Sequence, residues 1–443
     1  MVDGAGSSKL VTGRSLALAA LLFILLVVSG NLLERYLCSL HTFDCPKAWP
    51  ASVFDPRVPR VLDLAFAALT VFAFELLRRR LQRDEGPLAP SLGAVAIVLF
   101  STATQGLPRG FERPIAGLTD EGKGMQYFHD AARFTDIGDA LARWNALQPT
   151  LENHGRTHPP GAVILALLVP HPALLGLLWL ALSTFVASLA LHRLVSGFFG
   201  DRRLASTGVL LFATLPAVQI YFGSTLDAVL AAILMAALAM AASKPAAARS
   251  AVTGLLLAAA GFLSFGAWIL VPTVFALEWA QHKTMKGSLL ALVVMVLSLA
   301  ALRVFGFDYL ASFRTASHLE NPDGFRLLVD PIEYLATRVE DVAELVFFLG
   351  PAVLLATVRS RGSLMAVPRT VVLVAVTSLV AAFLTGAFRT GETARACLFV
   401  TPLLLLPVLA HLHQRPDPAS RDLLLRGTLG FGLVLQLVGD WFW

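Results

Sequence analysis

The sequence predicts an all-α fold embedded in a membrane, and three observations predict it. Hydrophobic residues make up 56% of the 443 and charged residues only 15%. The mean hydropathy is +0.70. Uncharged apolar runs near the roughly 20 residues that cross a bilayer recur along the whole chain, so no stretch is left for a large soluble domain. Soluble domains of this size rarely look so apolar.

The runs place thirteen spans, near 15–33, 61–77, 88–104, 173–195, 205–222, 226–242, 251–264, 266–280, 287–305, 343–358, 368–386, 396–412 and 424–440. The first follows Lys9 and Arg14 as a secretory leader would, yet it leads into Glu34-Arg35 without a small-residue cleavage site and is read as a helix. The run 159–169 is half a membrane deep before Pro170-His171-Pro172 interrupts it, which predicts a short re-entrant or interfacial helix. In 251–280, Ser264, Gly266 and Pro272 favour two short spans over one long tilted one. Repeats of fixed period, low-complexity tracts and heptads are absent from the sequence. The expected architecture is one polytopic bundle, 1–443, of about 13 spans plus the short helix.

Orientation follows from basic clusters in short loops. Arg78-Arg79-Arg80 with Arg83, Arg202-Arg203, Lys244 with Arg249, Lys283 with Lys286, Arg359 with Arg361 and Arg369, and Arg415 with Arg421 and Arg426 all fall on the cytoplasmic side of the thirteen-span reading. The loops 34–60, 105–158 and 306–342 and the connection 387–395 are then extracytoplasmic. The formal charge of +5 and the pI near 9.3 come from span-flanking residues, so they do not point to nucleic acid. Cys38 and Cys45 share the first outer loop, where an oxidising compartment permits a disulfide between them, and Cys397 reads as a packing residue.

The polar chemistry collects in the expected outer segments. Leu118–Arg133 carries the adjacent carboxylates Asp120 and Glu121, followed by Tyr127, His129 and Asp130, which helical spacing brings near one another. A carboxylate beside an apolar wall can act as a general base, because partial desolvation raises its pKa. The same acids also suit helix caps in a solvated loop. Downstream, His154-Gly-Arg156-Thr-His158-Pro-Pro-Gly161 packs two imidazoles, a guanidinium and a hydroxyl into five residues suited to phosphate oxygens, and the prolines fix the entry into the next apolar run. Further candidates for neutralising a phosphate are Arg314 and His318 in 306–342, and Arg389, Glu392 and Arg395 at the mouth of a later span, where charge is costly without a partner. Asp227, near Tyr221 and Ser224, is a lower-ranked candidate. His171, His192, His282, His411 and His413 read as interfacial or packing residues.

Asp120-Glu121, Tyr127 with Ala131 or Ala132, and His158-Pro159-Pro160 together resemble the integral-membrane GT-C glycosyltransferases, in particular the protein O-mannosyltransferase and aminoarabinose-transferase group. The resemblance covers roughly residues 115–170 by motif and the rest by the pattern of spans. It departs from that group in that the Asp-Glu loop follows the third span rather than the first, in its longer His-Gly-Arg-Thr-His box, and in having no large soluble C-terminal domain. It implies a polyprenyl-phosphate-linked sugar donor, inverting transfer to an acceptor hydroxyl on a lipid, glycan or protein, and Asp120 as the base with Glu121 assisting. The expected location is a bacterial inner membrane, with the active site on its extracytoplasmic side. The Asp-Glu pair either holds a divalent cation or acts without one. The competing expectation is a transporter or lipid flippase, in which charges inside the spans would line a pathway.

Overall fold

A computed structural model of the chain describes residues 9–40, 48–51, 54–81, 86–116, 127–223, 225–360, 362–386, 388 and 393–441. The first third contains α1 (Gly13–Leu40), α2 (Val61–Arg80), α3 (Leu88–Ala103), α4 (Arg113–Ala116), α5 (Tyr127–Ala131), α6 (Ile137–Leu147) and α7 (Asn153–Thr157). Then follow α8 (Gly161–Leu168), α9 (Pro172–Phe199), α10 (Arg202–Thr214), α11 (Pro216–Tyr221), α12 (Leu226–Ala241), α13 (Ala247–Leu263), α14 (Val271–His282) and α15 (Lys286–Ala301). The last third contains α16 (Tyr309–Glu320), α17 (Arg326–Val329), α18 (Pro331–Ser360), α19 (Ala366–Leu384), α20 (Thr393–Ala396), α21 (Thr401–Leu404), α22 (Leu406–Gln414) and α23 (Pro418–Val438). Two two-residue strands, β1 (Asp55–Pro56) and β2 (Gly439–Asp440), pair antiparallel.

The fold is thus nearly all helical, and among the described residues five helices are long and apolar enough to cross a membrane: α1, α9, α15 with its following turn, α18 and α19. A sixth span results if α3 and the segment Pro108–Ile115, bent by 119°, count as one broken span. α1 turns Leu18, Leu22 and Leu25 outward, each more than half exposed, as a helix facing hydrocarbon does. Length, composition and exposure together are those of a membrane-embedded helical bundle.

Each expected run lies on helix, but several are divided. Run 205–222 breaks into α10 and α11 at Leu215, which is extended before Pro216, the conformation that a following proline imposes. Run 396–412 breaks into α20, α21 and α22, with Pro402 and Pro407 in the first turns of the latter two. Stretch 251–280 divides at Ser264 (φ −154°, ψ 137°), whose hydroxyl accepts from Gly266 N at 3.2 Å. The short helix expected at 159–169 is α8, eight residues long. The largest correction concerns 306–342, which is no open loop: it holds α16, α17 and the first turns of α18. Hydropathy delays the start of that span to 343 because Arg338, Glu340 and Asp341 precede it, yet these two acids and Glu344 are buried and the helix runs through them.

α9 packs against α3, α10 and α12, and α13 lies between α12 and α15. Small residues let the helices approach: a Cβ on Gly254 of α13 would stand 2.4 Å from the Ala291 carbonyl of α15. A buried amide ladder ties α3, α11 and α23. Ser101 donates to Gln219 Oε1 at 2.9 Å, Gln436 Nε2 donates to the Gln219 carbonyl at 2.5 Å, and Gln105 Nε2 donates to Gln436 Oε1 at 2.8 Å. In an apolar medium each such group is costly unless paired.

The bundle has two chemically distinct ends. At one, Arg78 of α2 bridges Glu75 at 2.7 Å and Asp422 of α23 at 2.6 Å, and Ser420 donates to the Val11 carbonyl at 3.0 Å. α18 ends there as well, with Arg359 donating to the Leu10 carbonyl at 2.9 Å. The basic clusters 78–80, 359 and 421–426 therefore gather at a common end, as the charge pattern predicts. Cys38 is disulfide-bonded and Cys397 is free and buried; Cys45 lies outside the described residues.

Candidate functional site

The opposite end gathers polar groups from segments far apart in sequence. α5 contributes Tyr127 and Asp130, both buried. Asp130 accepts from the Glu152 backbone N–H at 3.1 and 3.2 Å, which ties α5 to the start of α7. The approach is close enough that a Cβ at position 155 would stand 2.0 Å from Asp130 Oδ2, so the chain carries Gly155 there. Burial is the main cause that pushes the Asp130 carboxyl up to about 6.

α7 places His154 within it and His158 at its end. The Tyr127 ring lies 6.0 Å from the His154 ring and 5.7 Å from that of His158, and the two imidazoles are 6.4 Å apart. His158 Nδ1 lies 2.9 Å from the His154 carbonyl. A carbonyl only accepts, so Nδ1 carries the hydrogen and Nε2 of the neutral ring is a proton acceptor. Burial, and then Arg395 and the other imidazole, hold His154 well below the usual histidine range. His158 is lowered mainly by burial, against the opposing pull of Asp227. Pro159, Pro160 and Gly161 then start α8, where a Cβ on Gly161 would meet the Phe262 carbonyl of α13 at 2.4 Å. The box is thereby fixed against the bundle.

The cation of the site comes from the other end of the sequence. Arg395 of α20 pairs with Asp227 in the first turn of α12, Nε to Oδ2 at 3.2 Å, and it is the arginine that acts electrostatically on both histidines. α20 is only four residues long, so what holds it matters. Thr393 Oγ1 donates to Asp341 Oδ1 at 2.6 Å and Ala394 N to Glu344 Oε2 at 3.0 Å, both acids being fully buried on α18. Two carboxylates at the start of a helical turn satisfy amide and hydroxyl donors that the turn itself leaves open. Arg338 pairs with Asp341 at 3.0 Å and donates to the carbonyls of Phe383 and Phe388.

The structure therefore brings together Tyr127, Asp130, His154, His158 and Arg395 of the residues singled out by sequence, and it raises Asp227 to a direct partner of Arg395. Arg156 turns away: its guanidinium donates to Asn153 at 2.9 Å on its own helix, and Arg395 takes the place expected of it beside the imidazoles. Arg314 and His318 are exposed on α16, whose buried Ser312 and Ala316 lie on another face. Asp120, Glu121, Arg389 and Glu392 lie outside the described residues. Sequence reading missed Arg338 and Asp341 because it placed them in a loop, and Glu344 because it stood at the start of an apolar run without a visible partner. Their three-residue spacing behind Pro331 was the available signal, since it sets all three near one helix face.

Among the described residues no group of three or more His, Cys, Asp or Glu side chains is arranged to hold a metal ion. What the cluster offers is one guanidinium braced by a carboxylate, two neutral imidazoles and a tyrosine, at one end of an apolar bundle. Such a set binds an anion and exchanges a proton with it. No family model, curated protein or solved structure matches the chain.

Proposed function

We propose that the protein is a multi-pass membrane glycosyltransferase of the GT-C type, which takes a sugar from a polyprenyl-phosphate carrier at the extracytoplasmic face. The observation that carries the reading is the meeting of α5, α7, α12 and α20 around Tyr127, His154, His158 and the Asp227–Arg395 pair, at the end of the bundle away from the basic clusters. Arg395 and the imidazoles hold the phosphate of the carrier, and Asp227 fixes the guanidinium. Asp120 and Glu121, just before Tyr127 in the chain, supply the base. The acceptor hydroxyl gives its proton to the Asp120 carboxylate as its oxygen bonds to the anomeric carbon; the bond from that carbon to the phosphate oxygen breaks, and polyprenyl phosphate leaves with the electron pair. Charge developing on the phosphate is stabilised best by fixed groups in a site poor in water. The acceptor is a lipid, glycan or protein hydroxyl, with a divalent cation at the Asp-Glu pair as an optional assistant.

The test uses the full chain in proteoliposomes with radiolabelled polyprenyl-phosphate sugars and measures release of polyprenyl phosphate. Arg395→Gln removes a charge-assisted contact worth about 1.5–3 kcal/mol, so donor binding should weaken roughly 10- to 150-fold. Transfer at the parental rate and donor affinity by a folded Arg395→Gln protein rejects the site.

A transporter or flippase is the second reading, and one observation favours it: Glu340, Asp341 and Glu344 are buried within α18, a helix of spanning length. Where the apolar runs place no charge at the centre of a span, this helix buries three acids near its middle. Asp341 and Glu344 are engaged in holding α20, which leaves Glu340 as the acid that a pathway would use. Flux of a lipid-phosphate sugar across the vesicle membrane, abolished by Glu340→Gln and unaccompanied by transfer, would select this reading.

A further inference from the structure

At the basic end of the bundle lies a cavity that the proposed function does not use. Its volume is ≈ 230 Å³, and its lining includes Lys9, Arg359, Ser363, His411, Gln414 and Arg415. It is formed where the strap before α1, the end of α18 and the end of α22 meet. Arg359 belongs to the frame: besides the Leu10 carbonyl it reaches Ser15 Oγ at 3.1 Å in the first turn of α1. His411 Nδ1 lies 3.2 Å from Ser363 Oγ, and Gln414 donates to the Ser363 carbonyl at 2.8 Å. No carboxylate lines the cavity among the described residues, and none of them makes an ion pair with Lys9 or Arg415. Asp417, which feels the charge of Lys9, is engaged in capping α23.

We infer that this cavity binds the phosphate of an anionic ligand through Lys9, Arg359 and Arg415. The charge balance supports it. The C-termini of α18 and α22 each present roughly half a negative charge, whereas three full positive charges face the same space. A basic pocket between apolar helices at the end that the charge rule assigns to the cytoplasm suits a lipid headgroup. Arg359 links the cavity to the first turn of α1, whose outward Leu18 and Leu22 are each more than half exposed and offer a track for an acyl chain.

Native mass spectrometry of the detergent-purified full chain tests this, with phosphatidylglycerol, phosphatidylcholine and inorganic phosphate as separate probes. One phosphatidylglycerol should remain bound in preference to phosphatidylcholine. Lys9→Gln with Arg415→Gln should weaken it at least tenfold without lowering the thermal midpoint, Lys9→Arg should keep it, and Arg79→Gln with Arg80→Gln at the same end should leave it unchanged. Should the double variant fail to fold, Arg415→Gln alone should still weaken retention severalfold. Binding of inorganic phosphate by the parent and not by the charge-lacking variant, without lipid retention, assigns the same site to a soluble phosphate. Equal retention of both lipids, or equal retention of phosphatidylglycerol by a folded charge-lacking variant, overturns the inference.

Discussion

Gly155 shows how tightly single residues are specified at the candidate site. A methyl group there would sit 2.0 Å from Asp130 Oδ2, so Gly155→Ala must either displace that carboxylate from the Glu152 amide or push α5 and α7 apart. A loss of about 1–3 kcal/mol is expected, as for other overpacked positions, read as a lower thermal midpoint together with loss of donor binding. A variant unchanged in both would mean that the α5–α7 tie is unimportant. His158 makes a prediction about pH. Burial holds its folded pKa below the ordinary value, so the ring is neutral above about pH 6.5. With Nδ1–H given to the His154 carbonyl, only a protonated ring can donate to a phosphate oxygen from Nε2. Anion binding must then take up a proton, and donor affinity should rise as pH falls from 8 towards 6, by at most about tenfold per pH unit for one linked proton. A flat affinity profile, or a slope that survives His158→Gln, would exclude the coupling.

Among the elements, α18 and α20 depend on one another. The four residues of α20 have little helical stability of their own, and Asp341 and Glu344 hold them in place. Thr393→Val keeps the shape and removes the donor to Asp341, leaving a buried carboxylate short of a partner at a cost of about 1–3 kcal/mol. Because Arg395 lies two residues on, donor binding should fall along with the thermal midpoint, whereas a purely structural role for α20 would lower the midpoint alone. Further along α18 the chain kinks at Gly350, which has φ +78° and precedes Pro351. Only glycine adopts that backbone without strain, so the kink is written at a single position although the hydropathy of the run gives no sign of it.

For the whole molecule, the two-ended distribution of charge is the feature on which the topology rests. Asn153, exposed on α7, and Arg79, exposed at the end of α2, mark the two ends. Asn153→Cys should react with a membrane-impermeant maleimide added to intact cells, and Arg79→Cys only after permeabilisation. Labelling of both under the same condition would place the candidate site and the basic clusters on one side, contrary to the positive-inside assignment. Cys397 does not interfere because it is buried.

The all-α class, the membrane setting, the shortness of α8 and the break at Ser264 were legible in the sequence, because each depends on local properties: apolar length, proline and glycine positions, and the side on which basic residues flank a run. The His154–His158 box was legible for the same reason, its members being neighbours in the chain. Tertiary structure alone decided that Arg395 rather than Arg156 stands beside those histidines, and that Asp227 is the partner of Arg395. It decided too that Asp341, expected in an outer loop, and Glu344, expected at the start of a span, are buried clamps on α20. Hydropathy scores a buried, paired carboxylate and a solvated one alike. The difference between them is a partner supplied by a distant segment, and the pairing that makes such burial tolerable arises only when the helices pack.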